Sequence, residues 1–206
     1  MGRWGHRMFE GDRDFDLLGD LQQHVGMKEK WEYSMAEMVM TGLSAEKKKY
    51  VREKFDVDNY GDTLFANCKA KEGEWEGKYC TIILGTVLMS VGARISSQNM
   101  KHLRKLAGEV QCNPGFTLCL FDDGFRAPGR AQFLAALDHY QPGKPRNFLD
   151  LSCFYCGKTG EDTGNPMFKC GKCKVSWYCD KDCQRGHWKY HKSECAPPGS
   201  RWMLNV

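Results

Sequence analysis

Apolar positions recur at helical spacing through most of the first 140 residues. Residues 14–24 place Phe15, Leu17, Leu18 and Leu21 on one face, with acidic residues in the first turn. Residues 29–40 set Trp31, Met35, Met38 and Val39 at the same spacing. A third helix is predicted from Ala45 to Phe55, with Ser44 as its N-cap. Residues 81–93 are apolar nearly all round, the pattern of a central helix with no solvent face. Ser96 or Ser97 caps a further helix that carries Met100, Leu103 and Leu106 inward. Residues 129–140 complete the set with Phe133, Leu134 and Leu137. Only residues 116–121 (FTLCLF) read as a strand. The fold class expected is mainly α.

Helical periodicity stops near Pro142. Residues 141–150, opening Gln141-Pro142-Gly143-Lys144-Pro145, are rich in turn and extended-chain formers and read as a linker. The expected organisation is an α-helical domain at 1–140, the linker, a small module at 151–195 and a tail at 196–206, where Trp202, Met203 and Leu204 could anchor. The first segment is long enough to bury a real core.

The module has its own chemistry. Its sequence runs Cys153-x2-Cys156-x13-Cys170-x2-Cys173-x5-Cys179-x3-Cys183-x7-His191-x3-Cys195. Eight soft ligands fall into four chelating pairs and make two complete tetrahedral sets for Zn²⁺, with no position left for water. The last two pairs have i, i+4 spacing, which puts both members on one face of a helical turn. Spacing alone does not choose between sequential and interleaved pairing. A segment this small gains its folding free energy from the metal.

The stretch Trp177-Tyr178-Cys179-x3-Cys183-Gln184-x2-His187-Trp188-x2-His191-Lys192-x2-Cys195 resembles the MYND-type zinc finger. The resemblance implies interleaved pairing: Cys153, Cys156, Cys179 and Cys183 on one zinc, Cys170, Cys173, His191 and Cys195 on the other. His187 falls where that family has no ligand. Residues 121–129 and 146–148 are also similar to a group of fungal proteins that pair a helical domain with a terminal MYND finger.

Charge and compartment narrow the function classes. Residues 151–206 carry nine Lys/Arg against five Asp/Glu, while the rest of the chain is balanced. Seven zinc-bound thiolates and two Zn²⁺ reduce that excess to about +1, a weak footprint for nucleic acid. A signal-peptide core and a membrane-length apolar run are both missing from the sequence, so reduced thiols in the cytoplasm or nucleus are expected. Asp12-x-Asp14-x-Asp16 and Asp56-x-Asp58-x-Tyr60-Gly61 lack the remaining ligands of a calcium loop and read as a helix start and a turn. Cys68, Cys80, Cys112 and Cys119 lack chelating spacing and read as buried thiols. His24, His102 and His139 lie in helices with no nucleophile beside them, and Asp122-Asp123-Gly124 reads as a surface turn.

MYND fingers are protein-interaction modules, and several recruit short proline-rich peptides. The resemblance implies peptide contacts from Gln184 and Trp188; Trp188 is equally readable as cover for the zinc sites. A third, small polar contributor of the family is replaced here by Gly171. The expected function is a zinc-dependent adaptor for a protein partner, with transcriptional regulation as its process. The family's best-known catalytic members are lysine methyltransferases with a β-rich SET domain and an Asn-His-Ser-type motif. That motif is missing from this helical sequence, so the chain is expected not to be an enzyme; the alternative places an enzymatic or nucleic-acid-binding activity in the helical domain.

Overall fold

A computed structural model describes residues 2, 4–24, 31–40, 43–113 and 124–200 of the chain. The fold is mainly α. Helices α1 (Asp12–His24), α2 (Met35–Val39), α3 (Ala45–Asp56), α4 (Tyr60–Ala70), α5 (Gly77–Val91), α6 (Ser97–Glu109) and α7 (Ala127–His139) build the larger part. The smaller part holds α8 (Gly160–Thr163), an antiparallel pair of β3 (Phe168–Lys169) and β4 (Trp177–Tyr178), and α9 (Lys181–His191). A short parallel pair joins β1 (Cys112–Asn113) to β2 (Phe125–Arg126) ahead of α7.

Helix α5 is the axis of the core. Helices α1, α2, α3, α4 and α6 all pack on it, and Ile82, Ile83, Leu84, Val87, Leu88, Met89 and Val91 are buried. Each such side chain contributes about 1.5–3 kcal/mol on leaving water. Gly85 does not break the helix; it admits Leu103 of α6, whose Cδ1 lies 2.6 Å from where a Cβ would stand. The helix starts four residues before the apolar run, at Gly77, and its first turn buries Gly77 and Tyr79, the latter with its hydroxyl on Asp14.

Caps define other boundaries. Ser34 and Glu37 form a capping box on α2, and the Ser44 and Ser96 hydroxyls accept from the Lys47 and Asn99 amides. Thus α2 is shorter than its periodicity predicts, and Trp31 packs beside Phe55 at 4.7 Å from outside the helix. Helix α4 has no counterpart among the predicted elements. Left-handed Asp58 and Asn59 turn the chain there, and Leu64, Phe65 and Cys68 are buried beyond them.

Asp14 lies in α1, fully buried. Its carboxylate accepts from the Phe9 amide at 2.7 Å and the Tyr79 hydroxyl at 2.8 Å. Asp56 accepts from the Arg94 amide at 2.7 Å. His102 pairs with Glu72 at 2.6 Å, and His139 stands 3.9 Å from Asp162. Cys68 is buried, with its thiol pushed up to about 12 by burial and then by the neighbouring Cys80 and Glu72 charges. Cys80 and Cys112 are half-buried. The expected strand at 116–121, Cys119, Asp122, Asp123, the His24 side chain and Trp202, Met203 and Leu204 lie outside the described residues.

Residues 141–150, expected as a linker, are held down along their length. The Gly143 and Arg146 amides donate to the carbonyls of Gly92 and Met89, each at 2.8 Å, and Phe148 is buried in the helical core. The physical reason is that α5 ends at Gly92 in left-handed geometry, exposing carbonyls that this segment satisfies.

Candidate metal centre

Two tight turns begin the site. Residues 153–157 close through Gly157 N–H donating to the Cys153 carbonyl at 2.8 Å, and residues 170–174 close through Lys174 N–H to the Cys170 carbonyl at 3.1 Å. Each turn aims two sulfurs the same way. The β3–β4 hairpin then sets the turns against one another: Phe154 N–H donates to the Trp177 carbonyl and Cys170 N–H to the Ser176 carbonyl.

Helix α9 supplies the opposite walls. Asp180 is its N-cap, accepting from the Cys183 amide at 2.7 Å, which fixes Cys183 in the first turn. His191 is its last residue. Cys179 precedes the cap and Cys195 follows the helix, so neither i, i+4 pair shares a helical face as the spacing predicts. Each pair instead straddles a helix end, where the backbone leaves helical geometry.

These elements bring the eight predicted ligands into two groups. Cys153, Cys156, Cys179 and Cys183 form one; Cys170, Cys173, His191 and Cys195 form the other; within each, the donor atoms lie within 4.8 Å of one another. Pairing is therefore interleaved. Thiolates on tetrahedral zinc, about 2.3 Å from the metal, stand about 3.8 Å apart. The separations are 3.5 Å for Cys156–Cys179, 3.9 Å for Cys156–Cys183 and 3.7 Å for Cys170–Cys195. Cys173 Sγ lies 3.5 Å from His191 Nε2. Two zinc ions fit, each with all four positions filled by side chains.

Supporting contacts orient the donors. The Ser176 hydroxyl is 3.4 Å from His191 Nδ1, which leaves Nε2 turned toward the metal. Ser176 escaped the sequence reading because nothing in its spacing marks a partner fifteen positions before His191. His187 belongs to neither group. It is buried, stacks on His191 at 5.8 Å and sits 3.0 Å from the Tyr178 hydroxyl. Burial, aided by His191, depresses its pKa to about 4, so it is neutral at pH 7.

The thiols show why the metal is required. A hydrogen bond with the Cys156 side chain lowers the Cys153 thiol below its ordinary value, whereas burial and the Cys153 charge raise that of Cys183. Four thiolates this close do not coexist without a cation, so zinc binding releases protons and supplies folding free energy.

The first group is half-exposed at Cys156, Cys179 and Cys183, while all four members of the second are buried. Trp188 is 45% exposed, with its ring edge-on to His191 at 5.9 Å. Gln184, half-buried one turn earlier, makes no side-chain hydrogen bond among the described residues. A Cβ on Gly171 would meet no atom within 4 Å. Tyr178 is buried between the groups, and Trp177 lies under the Lys169 ammonium at 4.6 Å.

The module is seated on the helical domain. Arg146 grips Asp162 with two bonds of 2.5 Å, Lys144 meets Glu161 at 2.6 Å, and His6 faces Glu194 at 3.7 Å. Gly157, at φ 77°, lies so close to α7 that a Cβ would stand 1.9 Å from the Ala131 carbonyl oxygen. Beneath this seat Gln132 ties segments of the larger part together: its amide oxygen accepts from Met8 N–H at 3.0 Å and its nitrogen donates to the Phe148 carbonyl at 2.8 Å.

Comparisons with known proteins agree with this geometry. The chain is 34% identical over 86 residues to N-lysine methyltransferase SMYD2-A of Danio rerio, covering 35% of this chain and 18% of the relative. It is 33% identical over 93 residues to N-lysine methyltransferase SMYD2 of Homo sapiens, covering 38% and 21%. Histone-lysine N-methyltransferase ASHR1 of Arabidopsis thaliana is 34% identical over 89 residues, covering 37% and 17%. The chain thus spans about a fifth of the length of the curated relatives it matches. No solved structure matches it. The expectation that the protein is not an enzyme is corrected by these names: the matched relatives are lysine methyltransferases, with the match confined to the finger region. A missing linear motif did not justify excluding catalysis, since catalytic groups are assembled in space. The family model of the MYND finger matches residues 153–195, and that segment is a MYND finger with two zinc-binding sets.

Proposed function

We propose that the finger docks a short proline-rich segment of a partner protein across Gln184 and Trp188. The observation that carries this reading is the exposure of Trp188. An indole needed only as cover would be buried, yet this one stands 45% exposed on a helix pinned at both ends by zinc-binding residues. Rigid aromatics of this kind bind at low entropic cost, and an extended proline helix arrives already ordered. Gln184 offers an amide donor and acceptor to a peptide backbone with few internal partners of its own. Zinc is the scaffold. Recruitment of this kind takes place in a reducing compartment, the cytoplasm or nucleus, where thiolates remain available to the metal.

Titration of a fluorescein-labelled Pro-x-x-Pro peptide onto the zinc-loaded chain tests the reading. Trp188→Ala is expected to weaken binding about tenfold or more, the loss usual for a central aromatic contact. Gly171→Ser, which enters open space, is expected to strengthen it. Equal binding by wild type and Trp188→Ala would sink the assignment.

A further inference from the structure

We infer that the segment docked at Trp188 is acidic, carrying carboxylates beside its prolines; this rests on the peptide-docking reading above and specifies its partner. The ligands of the second metal group are flanked in the chain by exposed lysines. Lys172 and Lys174 flank Cys173, and Lys192 follows His191, whose Nε2 is 3.5 Å from the Cys173 sulfur. Trp188 stands edge-on to the same His191. The tryptophan and the three lysines are therefore all borne by the segments that supply this one tetrahedron.

These ammonium groups are unmatched among the described residues. None of the three makes an ion pair or side-chain hydrogen bond with the described residues. Some lysines elsewhere are paired, as in Lys78–Glu109 at 2.8 Å and Lys144–Glu161 at 2.6 Å, so acidic partners for an ammonium group do occur on this molecule. The finger's own acids are committed: Glu161 and Asp162 to Lys144 and Arg146, Glu194 toward His6, Asp182 to Arg185, and Asp180 to the α9 cap. Three of these five face the helical domain, so the module spends most of its negative charge on docking.

Lys174 adds to this. It holds left-handed backbone at φ 58°, where glycine or asparagine would be less strained. Val175, 47% exposed, donates its amide to Cys173 Sγ and puts an apolar side chain beside the lysines. Apolar surface for proline rings and ammonium groups for carboxylates thus alternate on one small face.

A short acidic peptide suits this arrangement better than a nucleic acid. The second zinc with three thiolates carries a net −1, and the first with four carries −2, charges that repel a continuous polyanion. A peptide sets a few carboxylates at chosen places and withholds charge elsewhere.

Three fluorescein-labelled peptides share one proline core and differ in flanking residues: Glu, Gln or Lys. Each is titrated onto the zinc-loaded full chain. The Glu-flanked peptide is expected to bind roughly tenfold tighter than the Gln-flanked one at low salt, an advantage that shrinks as ionic strength passes about 0.15 M. The Lys-flanked peptide should be weakest. The variant K172E/K174E/K192E, still holding two zinc ions, should reverse the order. Equal affinity for Glu and Gln flanks, with both lost in Trp188→Ala, overturns the acidic assignment and leaves peptide docking standing. Failure of every peptide overturns both. Displacement of the Glu peptide by a single-stranded oligonucleotide of equal charge at lower concentration overturns the inference in favour of nucleic acid.

Discussion

Alanine at Gly157 asks the backbone for two things at once. It demands left-handed geometry of a residue with a Cβ, at about 1–2 kcal/mol. It also drives that Cβ into the Ala131 carbonyl. Gly157→Ala is expected to lower stability by about 3 kcal/mol or more while both zinc ions stay bound. Denaturation followed beside a zinc count checks this. Gln132 works at the same scale, a buried amide whose two ends satisfy two other segments. All eight zinc-binding residues were legible in the sequence, because chelation restricts them to short, fixed intervals. Gly157, Gln132, Ser176 and Asp14 were not, since each is defined by a partner that folding supplies. Interval patterns hold no record of such partners.

Helices divide in the same way. The α5 segment was legible because burial on every side left one continuous apolar run, although its first turn was hidden by polar residues. Helix α4 was missed because Asp58, Asn59 and Gly61 carry turn chemistry, and the turn they make starts a helix instead of ending one. Helix α9 was foreseen as a carrier of ligand pairs, but its ends fall inside those pairs. Its N-cap therefore bears on metal retention. Asp180→Ala removes the acceptor for the Cys183 amide, costing about 1 kcal/mol of helix stability. The expected result is faster zinc loss from the Cys153 group than from the His191 group. Stepwise chelator competition, read as two release phases, checks it; simultaneous release of both ions would contradict it.

At the scale of the molecule, the finger and the helical domain share one boundary. Asp162, 4% exposed at its side chain, keeps its pKa at about 2. Burial opposes ionisation there, but the hydrogen bonds and charge of Arg146 outweigh it. A carboxylate held below its ordinary 3.8 stabilises the folded state above that value. The contribution is lost as pH falls from about 4 to about 2. In Arg146→Gln, carboxyl NMR titration is expected to show the Asp162 midpoint moving up; an unmoved midpoint would rule out this pairing. Zinc removal is expected to unfold residues 151–195 and leave most helical circular dichroism in place, because the larger core is built from residues outside the finger. The thermal midpoint of the remainder should drop, since Arg146 and His6 lose their partners. This boundary was hidden in the sequence. Pro142, Gly143 and Pro145 have the composition of a free connector, and it is the carbonyls at the end of α5, with Arg52 of α3, that give the segment a surface to bind.

The contacts of residues 6 and 7 set an order of assembly. His6 rests against Phe154 at 5.8 Å and faces Glu194, Arg7 donates to the Asp150 carbonyl, and the Met8 amide needs Gln132. During synthesis these residues leave the ribosome well before Gln132, Asp150, Phe154 and Glu194. The loop closes on itself early, through the Glu10 carbonyl and carboxylate, but the contacts of His6 must wait until the finger has been made and has captured its metal. The contacts of His6 are thus among the last to form, and zinc supply sets when they do.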